Sequence, residues 1–121
     1  MQSKHTELRE CYRNVYEKIS NGWCKWTAGI KNLNEETGHY NMCSYEQADY
    51  CDLYGAIKLT VSDEKLRHCL YDLLLYKTQF KDIFELNDSF NDVDEVLNHI
   101  HKSWKYVDKI FLTSSLFSCT L

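Results

Sequence analysis

The 121-residue chain is 44% hydrophobic, enough for one core and too short for two independent ones, so residues 1–121 are read as a single domain. A formal charge of −4 gives no electrostatic reason to expect nucleic acid or an anionic membrane as partner, since both favour a clustered basic surface. With no proline and only four glycines, the backbone carries few residues that interrupt helices.

Leu8, Cys11, Tyr12, Val15, Tyr16 and Ile19 recur at i, i+3, i+4 and i+7, which predicts a first helix over about residues 4 to 20. Asn21-Gly22 supplies its stop. Trp23, Trp26, Ile30 and Leu33 continue the period, weakened by Gly29, and are read as a short second helix. From Asn34 to Cys43 periodicity disappears and turn residues accumulate, which marks the longest loop. Ser44-Tyr-Glu-Gln47 has capping-box form and is expected to open a third helix, with Ala48, Cys51, Tyr54 or Gly55, and Leu59 facing inward.

Ser62-Asp-Glu reads as an N-cap hydroxyl followed by two acids at the positive end of a helix dipole. Leu66, Cys69, Leu70, Leu73, Leu74, Phe80, Ile83 and Phe84 then carry one long fourth helix, with Lys77 off the pattern. Asn87 to Asp92 breaks it. Asp92 is placed to cap a fifth helix with the stripe Val93, Val96, Leu97, Ile100, Trp104, Val107, Ile110 and Phe111. The expected fold is therefore all-α, a compact bundle of about five amphipathic helices.

Six cysteines would suit a disulfide framework in an exported chain, but the segment Met1 to Glu10 is charged throughout and lacks the apolar stretch of a signal peptide. The expectation is a cytoplasmic protein whose thiols are mostly reduced and buried. The longest apolar run, Leu73 to Tyr76, is far below the ~20 residues that cross a bilayer, so no membrane partner is expected. Asn87-Asp-Ser forms a glycosylation sequon that would be inert in the cytoplasm.

Zinc sites announce themselves through closely spaced Cys or His pairs, and the nearest two cysteines here stand eight positions apart. His99-Ile-His101 points its rings to separated helix faces. The best metal-ligand cluster is Glu64, His68 and Asp72, at i, i+4 and i+8 on one face of the fourth helix, where solvated charge explains it equally well. The six carboxylates between Asp82 and Glu95 fail the calcium-loop pattern, since its glycine and bidentate glutamate positions hold Asp92 and Asn98. No protease signature surrounds a cysteine, and the scattered glycines form no phosphate loop, so the chain is read as noncatalytic and without a cofactor.

Three tryptophans and nine tyrosines remain the unusual feature. The plainer reading puts Trp26 and Trp104 in the core. The functional one makes Trp23-Cys-Lys-Trp26 a docking patch, because two rings three residues apart beside a helix break leave at least one exposed. A helix from Asp92 to Phe117 would run about 39 Å, beyond what a small bundle needs, so the uncharged tail from Ile110 onward either folds back, with Leu116 and Phe117 sealing the core, or projects as a second patch at Leu116, Phe117 and Leu121, the reading preferred here. The expected function is a noncatalytic interaction module, a regulator or antagonist that binds another protein or a second copy of itself. Lysine-heavy, AT-rich-type composition of this kind occurs in viral and phage proteins. The runner-up is a ligand- or metal-sensing bundle, from which a metal-content measurement would separate it.

Overall fold

The computed structural model describes residues 3–34 and 36–115, with side chains as far as Phe111. The first helix, α1 (Lys4–Asn21), starts where the Ser3 side chain accepts the Thr6 amide and stops at Gly22, whose amide returns to the Ile19 carbonyl. Its predicted stripe is buried, with Leu8, Tyr12, Val15 and Ile19 almost completely so. Tyr12 keeps its hydroxyl satisfied inside the core by a 2.6 Å hydrogen bond to Ser103 Oγ, which in turn donates to the Leu73 carbonyl.

After α1 the structure departs from an all-α bundle. Trp23 to Leu33 forms no helix; it bends through residues 25–28 into β1 (Gly29–Lys31), which lies between β2 (Asn41–Cys43) and β3 (Tyr50–Cys51), antiparallel to both. Gly29 faces Cys43 on one side and Cys51 on the other. A Cβ there would come within 2.5 Å of the Ala48 Cβ, so the glycine that weakened the expected helix is what lets the connecting chain close over the sheet. Ser44 makes no side-chain capping bond, and the segment it opens is a single 3₁₀ turn, Tyr45–Gln47.

The real helix of this region, α2 (Leu53–Thr60), begins later, where Asp52 Oδ1 accepts the Gly55 amide at 2.7 Å. The long fourth helix is also two. α3 (Glu64–Leu75) is capped by Asp63, not Ser62, through bonds from the Lys65 and Leu66 amides. It ends where Thr78 bonds back to the Leu75 carbonyl and Lys77 turns left-handed at φ 62°. α4 (Ile83–Ser89) restarts from Asp82, which caps the Glu85 amide while Glu85 Oε2 accepts the Lys81 amide. α5 (Val93–Ser115) starts at the expected Asp92, through a bond from the Glu95 amide.

In space α1 lies against α5 and α2, α3 against α5 and α1, and α4 closes the far side against α2 and α3. The core between them holds Leu8, Tyr12, Ile19, Leu53, Ile57, Leu70, Leu74, Leu86, Val96, Ile100 and Val107. The small sheet sits at the edge, tied to the helices by Cys51, whose amide donates to the Gly22 carbonyl and whose carbonyl accepts from Cys24. The chain is thus mostly helical with a three-stranded sheet. No described helix is long and apolar enough to cross a membrane.

Candidate functional site

Two tryptophans three residues apart on a helix would share a face, but on the bent, non-helical chain that is present they part. Trp23 is half-buried, and its Nε1 donates to Asn87 Oδ1 at 2.7 Å. Trp26 is 76% exposed, which overturns its placement in the core. It takes φ 68°, the left-handed region that bulky residues avoid, and its amide donates to Asp88 Oδ1 at 2.8 Å. The Lys25 ammonium, held by the Phe90 carbonyl, lies 4.3 Å from the centre of the Trp26 ring.

Asn87 organises this corner. It is buried; Oδ1 accepts from both Trp23 Nε1 and the Leu53 amide, and Nδ2 donates to the Cys24 carbonyl and to Asp88 Oδ1. One side chain thereby joins the segment after α1, the start of α2 and the end of α4. The bonds leave the sequon asparagine no exposed amide to modify in the folded chain.

Beside this junction Trp26, Thr27, Ala28, Asp52, Phe84 and Asp88 line a cleft of about 250 Å³. Phe84, expected to face inward, is 46% exposed, because the break between α3 and α4 resets the helical phase. Its ring rests 4.8 Å from Tyr54, which lies between Tyr45 and Tyr71 at 6.1 and 6.2 Å, so the aromatic wall is braced from behind. The acidic side comes from two helix ends. Asp52 is buried at the cap of α2, and its carboxyl is pushed up to about 6, first by burial and then by the charge of Asp88, with the bond from Gly55 opposing. The cleft is smaller than the ~300–1,000 Å³ of sites that enclose drug-sized ligands, which fits it to a single side chain. A groove of similar size at Leu73, Tyr76, Lys102 and Tyr106, and a more open hollow on α1 at Glu17 and Lys18, lack this pairing of exposed aromatics with a buried acid.

The buried thiols Cys11, Cys24 and Cys51 are poorly disposed for nucleophilic chemistry. Burial pushes Cys24 up to about 12, with Asp52 adding to it, and also raises Cys11 and Cys51. Cys24 instead spends its S–H on the carbonyls of Thr27 and Tyr50. Glu64, His68 and Asp72 do fall on the exposed side of α3, where His68 Nε2 stands 3.8 Å from Glu64 Oε1. Among the described residues no three His, Cys, Asp or Glu side chains gather closely enough to hold a metal. Leu116, Phe117 and Leu121 lie outside the described residues.

Sequence reasoning reached Trp26 but missed its companions. Asp52 carried a usable signal, a capping acid three residues before Gly55, which the stronger-looking Ser44 motif displaced. No family model, curated protein or solved structure matches this chain.

Proposed function

We propose that the protein is a noncatalytic interaction module that regulates a partner protein by docking it at the Trp26–Phe84 cleft. The observation that carries this reading is Trp26 itself: a tryptophan 76% exposed, in a left-handed backbone conformation, and pinned by its amide to Asp88. Strained backbone concentrates where a side chain must be presented in one place, and tryptophan is the commonest anchor of protein interfaces. The braced Phe84 gives the anchor a second, preformed wall, which limits the ordering cost of association. The thiols raised by burial, Cys11, Cys24 and Cys51, do not line the cleft.

Site-specific photocrosslinking tests the reading. A benzophenone amino acid replaces Trp26 or Phe84 in one set of proteins and the exposed Asn98 of α5 in another, each expressed in the cell type of origin. A discrete adduct formed from positions 26 and 84 and absent from 98 is the expected result. Adducts formed equally from all three positions, or only from 98, would refute docking at this cleft.

A further inference from the structure

The cleft combines two aromatic walls with two carboxylates, and that combination discriminates among ligands. Asp52 and Asp88 reach it from different elements, the cap of α2 and the last turn of α4, and the charge of Asp88 acts on Asp52. The hydrogen bonds that Asp88 accepts from described residues both fall on Oδ1, from the Trp26 amide and from Asn87 Nδ2, which leaves Oδ2 as an acceptor. Asp52 likewise spends Oδ1 on the Gly55 amide. Lys25 and Lys58 approach these rings, at 4.3 Å from Trp26 and 5.9 Å from Tyr54, but neither lines the cleft. Two carboxylates that repel one another beside electron-rich ring faces are stabilised by a cation between them.

Resting on the docking reading above, we propose that the cleft receives an arginine side chain from the partner protein, its guanidinium between Asp52 and Asp88 and its plane against Trp26 or Phe84. Arginine is preferred to lysine because its planar, weakly hydrated head stacks on aromatic rings and can donate to both carboxylates at once, whereas an ammonium is a strongly hydrated point charge. An acidic segment is repelled by the two carboxylates, a neutral one offers them hydrogen bonds without charge, and the net charge of −4 draws a basic one toward the protein from a distance.

The probe is N-acetylarginine amide, titrated into isotopically labelled full-length protein and followed by two-dimensional NMR. N-acetylcitrulline amide, nearly the same shape without the charge, and N-acetyllysine amide are titrated in parallel. Saturable shifts centred on the Trp26 indole and on the amides of residues 52, 84 and 88 are expected for arginine, with weaker binding for lysine and none for citrulline. Asp88→Asn and Asp52→Asn keep the oxygen that accepts the internal hydrogen bonds, so their spectra should stay folded while arginine binding weakens about tenfold. Equal binding of arginine and citrulline, no saturable shifts at these residues, or arginine binding that both Asn variants leave unchanged would overturn the proposal. Crosslinking from positions 26 and 84 that persists in both Asn variants would retain the docking reading while refuting the cation; loss of site-specific crosslinking in the unsubstituted background would remove the docking reading instead.

Discussion

Asp52 illustrates how a single residue can carry a stability penalty that its local job does not require. As an N-cap it could be replaced by asparagine at little cost, since both side chains accept the Gly55 amide equally well. The charge is the difference. A carboxyl whose ordinary value is 3.8 and whose folded value is about 6 holds its proton more tightly in the folded state. Between those two values the folded protein binds more protons, so the contribution of Asp52 to stability falls as pH rises through that window and stays low above it. Asp52 feels the charge of Asp88 on α4, and its own charge helps to raise Cys24 after α1, Tyr71 on α3 and Cys51 on β3. Asp52→Asn should therefore stabilise the protein by about 1–3 kcal/mol at pH 7, with the gain shrinking toward zero near pH 4. Urea denaturation of both proteins across that range measures it, and a variant less stable than the parent at pH 7 would contradict the account. The thiols make a second residue-scale prediction: alkylation of the native protein should modify the half-buried Cys43 and Cys69 well before Cys11, Cys24 and Cys51, as mass mapping of a time course would show.

At the scale of elements, the glycines and the caps decide what the hydrophobic period cannot. Trp23, Trp26, Ile30 and Leu33 keep helical spacing, yet their segment bends into a strand, because a backbone that must thread beside Ala48 and β3 needs no side chain at Gly29. Gly29→Ala should cost about 2 kcal/mol, as overpacking against a backbone-bound Cβ does, and Ala48→Gly in the same chain should recover part of it. Additive losses in the double variant, read from denaturation midpoints, would show that the two sites do not meet. Of the helices built on an unbroken stripe, α1 was legible nearly to the residue and α5 at its start. The long fourth helix was not, because apolar residues kept the period while Lys77 and Thr78 turned the chain. A second signal stood in the sequence: Asp82-x-x-Glu85 repeats the Asp92-x-x-Glu95 pattern that correctly opened α5. Ser44-x-x-Gln47 had the same form and made no cap, so the motif alone does not define a helix start without an amphipathic turn behind it.

For the whole molecule, the break between α3 and α4 and the small sheet have one joint consequence. They turn Phe84 outward and bring Trp26, Asp52 and Asp88 together from segments up to 62 residues apart, fixed by Asn87 at the centre. A site assembled across that distance leaves no local motif, which is why only its tryptophan could be read from the chain. Asn87→Ala would leave the Trp23 indole and the Leu53 amide without their acceptor and should cost about 2–4 kcal/mol, measurable as a lowered denaturation midpoint. Trp26 should behave in the opposite way. Glycine adopts φ 68° without strain, and the ring it removes is mostly in solvent, so Trp26→Gly should leave stability unchanged or raise it by about 1 kcal/mol, where loss of a core tryptophan costs about 3–5 kcal/mol. The most direct measurement is therefore the crosslink yield from position 84 in the Trp26→Gly background, normalised to folded protein by its melting curve. The account predicts that the adduct is lost while the melting temperature holds. An adduct that survives at full yield, or a melting temperature that collapses with it, would contradict the assignment of Trp26 to docking.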